Sequence, residues 1–138
     1  GSKTLRESAA DACTVVAAGV TVFEALAACD ALAEAGVRIR VVDAYSLQPI
    51  DADRLVDAAR ATGGRLVTVE DHYAAGGLGD AVCDAVAPHG IAVHRLAVRD
   101  VPRSGKPAEL LDRFGISARH VVAAVEACVH AGSRPVTT

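Results

Sequence analysis

Thr14-Val15-Val16-Ala17-Ala18-Gly19 is an apolar run of strand length that stops at a glycine, and Thr21-Val22-Phe23-Glu24 follows one residue later. The first run reads as a buried strand. The second reads as a capping box, with Thr21 as N-cap and Glu24 reaching back to it. The helix it opens is expected to bury Val22, Leu26, Cys29 and Ala33, spaced four, three and four apart, and to end at Gly36. A buried strand that feeds straight into a helix is the repeating unit of a parallel sheet.

The same alternation continues outward. Residues 37–42 form the next strand, and Pro49 discourages helix in the connection over 45–50. Asp51 caps a helix that runs to about Thr62 and closes at Gly63-Gly64. Residues 66–69 are a strand, 71–77 a loop, and 78–87 a helix stopped by Pro88. Residues 91–98 are the last strand, followed by a polar loop over 99–106. Pro107 opens a short helix ending at Gly115, and Ser117 caps a final helix that carries Val121, Val125 and Cys128. On the other side, residues 3–7 read as a short polar edge strand. The whole is α/β, a mostly parallel sheet with helices on both faces. Residues 1–10 are a cloning scar, edge strand and linker, 11–130 the domain, and 131–138 a disordered tail. Gly1-Ser2 and the absence of any Met read as the mark of a segment cut from a longer gene.

Composition fits this plan. The 138 residues are 51% hydrophobic and 22% charged, so they can bury a core. With Phe23, Tyr45, Tyr73 and Phe114 as the only aromatics, that core must be aliphatic. A net charge of −3 and no basic stripe argue against nucleic acid. Apolar runs are too short for a membrane span, and no signal peptide is visible. Cys13, Cys29, Cys83 and Cys128 have neither C-x-x-C nor zinc-ligand spacing, and read as buried free thiols in a reducing compartment.

Four constellations carry possible chemistry. Gly76-Gly77-Leu78-Gly79 sits between a strand and a helix, but Val82 stands where a dinucleotide fingerprint needs its third glycine. It reads first as a tight turn, and second as an anion site at a helix N-terminus. Gly105-Lys106 is no phosphate loop, because Asp100 and Pro107 replace the glycine and hydroxyl it requires. Glu70-Asp71-His72-Tyr73 alternate in direction along a strand end and cannot all face one ion, so an interface role is favoured. Arg99, Arg103 and Lys106 face only Asp100 and read as a solvated cluster, with phosphate or partner binding as the alternative. His89, His94, His120 and His130 are isolated. The candidates for an anion or interface site are therefore His72, Gly76, Gly77, Gly79, Arg103 and Lys106. No catalytic, cofactor-binding or metal-ligating residue is assigned.

Several stretches in order resemble the C-terminal domain of the transketolase family. They are Ala18-Gly19-Val20-Thr21, Arg40-Val41-Val42-Asp43, Gln48-Pro49-Ile50-Asp51, Thr68-Val69-Glu70-Asp71-His72-Tyr73, Gly76-Gly77-Leu78-Gly79-Asp80-Ala81-Val82, and the run from Val101-Pro102-Arg103-Ser104-Gly105-Lys106 through Leu111, with Phe114-Gly115-Ile116 after it. The resemblance implies a three-layer α/β/α fold with a five-stranded mixed sheet whose first strand is antiparallel. It implies a cytoplasmic, homodimeric parent enzyme that moves a two-carbon ketol unit between sugar phosphates with thiamine diphosphate and a divalent metal, magnesium. The cofactor and the catalytic residues would lie in preceding pyrophosphate- and pyrimidine-binding domains. The Gly-Asp-Gly diphosphate motif is absent, since Ala81 follows Gly79-Asp80. The implied role is structural, at an interface. The rivals are a free-standing flavodoxin-like module that binds a small anion, and a non-catalytic subunit of a split thiamine-diphosphate enzyme.

Overall fold

The structure, a computed structural model, describes residues 2–44, 51–70, 77–97 and 115–133. Five strands form one sheet: β1 (Lys3–Arg6), β2 (Cys13–Ala17), β3 (Ile39–Asp43), β4 (Leu66–Glu70) and β5 (Val93–Ala97). Their order is β1-β3-β2-β4-β5. β1 runs antiparallel to β3, and the other neighbours are parallel. The helices are α1 (Thr21–Glu34), α2 (Ala52–Ala61), α3 (Leu78–Val86) and α4 (Ala118–Ser133).

Strand alternation divides the core in two. Val15, Ala17, Val41, Val67 and Val69 face a layer built by α1 and α4. Val16, Val42 and Leu66 face the opposite layer, with Leu55, Val56 and Ala59 of α2 and Leu78, Val82 and Val86 of α3. Each fully buried Val or Leu stabilises the fold by about 1.5–3 kcal/mol over exposure. Both faces of the central strands are covered, which is why every residue of β2 and β4 is buried and most are apolar. The result is the expected three-layer α/β/α sandwich.

Polar side chains stitch the layers. The hydroxyls of Thr14 on β2 and Thr62 after α2 both donate to the Ala58 carbonyl, at 3.1 and 2.9 Å. Asp51 accepts from the Arg54 N–H at 3.2 Å and caps α2, as its position predicts. That hydrogen bond is the main reason its carboxyl lies below the usual range. Arg40 reaches Asp11 at 3.2 Å and ties β3 to the turn before β2.

The structure departs from the sequence reading in four places. Thr21 is no N-cap: α1 already includes it, Val20 precedes it in helical conformation, and no side chain caps the terminus. The face α1 buries is Val22, Ala25, Cys29 and Leu32, with Thr21 and Ala28, while Leu26 is half-buried and Ala33 exposed. The helix is apolar around most of its girth, so its pattern leaves the rotation open, and packing on α4 and the sheet selects it. Pro88 does not end the helical path, because a turn of 3₁₀ helix over Ala87–His89 carries it on to Gly90. α4 continues through Ser133, past the point where the sequence suggested a disordered tail.

Candidate functional site

The chain leaves β2, builds β3 on one side through α1, then passes back through α2 to build β4 on the other side. The carboxyl ends of β2 and β4 therefore flank the switch point of the sheet, where open α/β folds leave a crevice for ligands. Two of the protein's own groups occupy this place. The Thr21 hydroxyl is fully buried and shares its proton between the carbonyls of Ala18 at 2.7 Å and Val69 at 2.8 Å. It also accepts from the Ala18 N–H at 3.2 Å. These bonds, which join the start of α1 to the ends of β2 and β4, are what the hydroxyl does in place of capping.

The second group is Glu70, the last residue of β4. Its carboxylate is buried and accepts from the Gly79 N–H at 2.6 Å. The first N–H groups of a helix have no partners within it and carry part of its positive pole. Glu70 supplies the anion that the start of α3 attracts.

Two glycines make this contact possible. Gly77 precedes α3 at φ 106° and ψ 21°, a left-handed conformation in which a side chain is strained. Gly79 lies under the Arg95 guanidinium: a β-carbon there would come within 2.7 Å of Nη2 and 2.8 Å of Cζ, and would also strike Nε. Arg95, on β5, then pairs with Asp80 at 2.9 Å.

Gly77 and Gly79 thus stand together at the α3 terminus as the sequence suggested. His72, Gly76, Arg103 and Lys106 lie outside the described residues, as do residues 71–76 and 98–114 as a whole. Sequence reasoning placed Glu70 in a strand-end cluster with an interface role, without linking it to the start of α3, and passed over Arg95. Leu66, Thr68 and Glu70 share one face of β4 by alternation, and an acid ending that face nine residues before a glycine-rich helix start was the available signal.

Other places offer less. A groove of about 390 Å³ is lined by Thr4, Arg40, Asp51 and Arg54 among others, but its cations are engaged. Arg40 holds Asp11, and Arg54 holds Asp51 at 3.2 Å. Among the described residues no three His, Cys, Asp or Glu gather to hold a metal, and no helix is long and apolar enough to cross a membrane. All four cysteines are free, Cys13 and Cys29 buried and Cys83 and Cys128 half-buried. Burial pushes the Cys13 thiol up to about 12, which disfavours its thiolate.

Residues 2–121 match the family model described as the transketolase C-terminal domain. The chain belongs to this family. It is 54% identical over 126 residues to mouse transketolase-like protein 2, covering 91% of this chain and 20% of that protein. Against mouse transketolase it is 50% identical over 132 residues, covering 95% and 21%. The chain thus spans about a fifth of the length of the curated relatives it matches. A solved split-gene transketolase, described as an inactive β4 tetramer, superposes with a TM-score of 0.82 at 39% identity, over 94% of this chain and 42% of that one. The transketolase of Leishmania mexicana, at 20% identity and a TM-score of 0.64, covers all of this chain and 19% of its own, and shares the fold. Five strands in a mixed sheet with the first antiparallel are what the family resemblance implied, and their order is β1-β3-β2-β4-β5.

Proposed function

We propose that this chain serves a transketolase by docking against the domains that hold the cofactor, and performs no chemistry alone. The observation that carries this reading is the match itself: a whole α/β domain, half identical to transketolases, that corresponds to one fifth of their length. The parent activity is transfer of a two-carbon ketol unit between sugar phosphates, in the pentose phosphate pathway. Thiamine diphosphate and magnesium supply that chemistry when bound, and they belong to the pyrophosphate- and pyrimidine-binding domains of a homodimer. The described residues of this chain do not fit that group. The helix terminus at the switch point already carries a carboxylate, and the arginines of the groove beside α2 are paired with acids. Four free thiols suit a reducing, cytoplasmic setting.

For the candidate residues the same argument favours an interface. With Glu70 on the Gly79 N–H, an added anion would meet a buried negative charge before it met a donor. This weighs against the free-standing anion-binding module, and leaves Gly77 and Gly79 as the turn that shapes the carboxyl edge of the sheet. The split-gene neighbour supports a second form of the reading, in which the domain reaches its partner from a separate polypeptide.

Titration calorimetry tests the proposal. The purified chain, given thiamine diphosphate and magnesium, is expected to give no heat of binding and no ketol transfer. Micromolar affinity for the cofactor would place part of the active site here and overturn it.

A further inference from the structure

The two helical layers present different faces to solvent. On the α2 and α3 side the exposed residues include Asp53, Arg54, Asp57, Arg60, Asp80 and Asp84, the ordinary surface of a solvated layer. The α1 side is different. Val20 is 38% exposed and Phe23 73% exposed, and these are the exposed large hydrophobics among the described residues. Phe23, Ala27, Asp30 and Glu34 follow at i, i+4, i+7 and i+11, so they form one stripe along the outer face of α1, and each is exposed. The stripe is apolar at its start and acidic at its end.

The acids of α1, unlike those of α2, have no cation on their own helix. α1 contains Glu24, Asp30 and Glu34 and no basic residue, and these three enter no ion pair among the described residues. Asp30 and Glu34 lie toward the negative pole of the helix, where carboxylates are disfavoured. An aromatic ring left in water and unpaired acids at the wrong helix end are both relieved by one partner. That partner carries an apolar socket, with cations about 10 and 16 Å along it, the helical rise from Phe23 to Asp30 and Glu34.

We infer that the outer face of α1, led by Phe23 with Asp30 and Glu34, is the surface by which this domain docks on the cofactor-binding part of the transketolase. The inference rests on the reading proposed above. It names the preceding domains as occupant because the relatives hold about four fifths of their length outside the region this chain matches. Apolar anchors at the centre of an interface dominate binding, and charges at its rim set orientation and salt dependence.

The test mixes this chain with the parent's pyrophosphate- and pyrimidine-binding domains, produced as a separate polypeptide, and measures affinity by calorimetry. Phe23→Ser is expected to weaken binding roughly tenfold or more. Asp30→Lys with Glu34→Lys weakens it several-fold and flattens its salt dependence. Asp57→Lys, on the opposite layer, stays within about twofold of the unaltered chain. Circular dichroism of each variant confirms the fold, which an exposed Phe23 does not support. If the unaltered chain fails to bind, the proposed function falls and this inference with it. If it binds and both α1 variants bind equally well, only the inference falls. If Phe23→Ser abolishes self-association and leaves the mixed complex intact, the occupant is a second copy and the inference is wrong.

Discussion

Removing the Glu70 carboxylate isolates the contact that closes the switch point. Glu70→Ala deletes the acceptor of a 2.6 Å bond and strands the Gly79 N–H in a buried place. A hydrogen bond to a charged partner contributes about 1.5–3 kcal/mol. A carboxylate at a helix N-terminus contributes about 0.3–2 kcal/mol, depending on burial. The two overlap, since the same N–H groups supply both. Against them stands the cost of burying the carboxylate, which the mutation relieves. A net loss of about 2–3 kcal/mol follows. For a domain of this size that lowers the thermal midpoint by roughly 3 °C per kcal/mol, so by about 6–9 °C.

Glu70→Gln separates the terms. The amide oxygen keeps an acceptor for Gly79 and gives up the charge, so the loss is about 1 kcal/mol. Urea unfolding followed by circular dichroism reads both variants on one scale. Glu70→Ala within 0.5 kcal/mol of the parent would refute the reasoning: desolvation would then have consumed the whole gain. A glutamine variant as unstable as the alanine one would show that charge, and not the bond, carries the effect.

Two further outcomes follow from the same side of the sheet and from α2. The Thr68 hydroxyl is buried with no partner among the described residues, so Thr68→Val, which keeps the shape, is expected to raise stability by about 1 kcal/mol in urea melts. Asp51→Ala is expected to cost about 1 kcal/mol at neutral pH through loss of the α2 cap. The folded carboxyl is lowered from 3.8, so the cap's contribution is complete above that value and is lost as pH falls through the lower folded one. Melts of parent and variant should converge only at acid pH. A gap unchanged at pH 2 would mean that loss of the side chain's contacts, and not loss of its charged cap, is at fault.

The elements the sequence announced most clearly are those in which one physical requirement acted alone. β2 and β4 must be apolar on both faces because helices cover both, and a run such as Thr14–Ala17 has no other stable use. Asp51 had to cap a helix because a periodic segment follows it, ended by two glycines at φ 68° and 76°. Thr21 failed as a cap because two requirements competed for one hydroxyl. The carbonyls at the ends of β2 and β4 are brought to it only by the folded sheet, and no local pattern records them. The buried stripe of α1 was misjudged for a related reason. Apolar residues cover most of that helix, so several rotations satisfy the pattern, and α4 and the sheet select among them.

The candidate site was legible as a place but not as a chemistry. Glycines between a strand and a helix mark a terminus that attracts negative charge, and Gly77 and Gly79 stand there. What the pattern could not say is that the negative charge is already present. Glu70 is nine residues from Gly79 in sequence, and only the packing of α3 against β4 makes them neighbours. That difference supports the docking reading proposed above over a free-standing binding module. A parallel sheet offers ligands the ends of its strands, and here those ends are tied by Thr21 and Glu70. With these described groups of the edge satisfied from within, the helical faces are the surfaces left to weigh. Of those two faces, one carries charges of both signs. The other carries a bare aromatic ring and acids with nothing to hold.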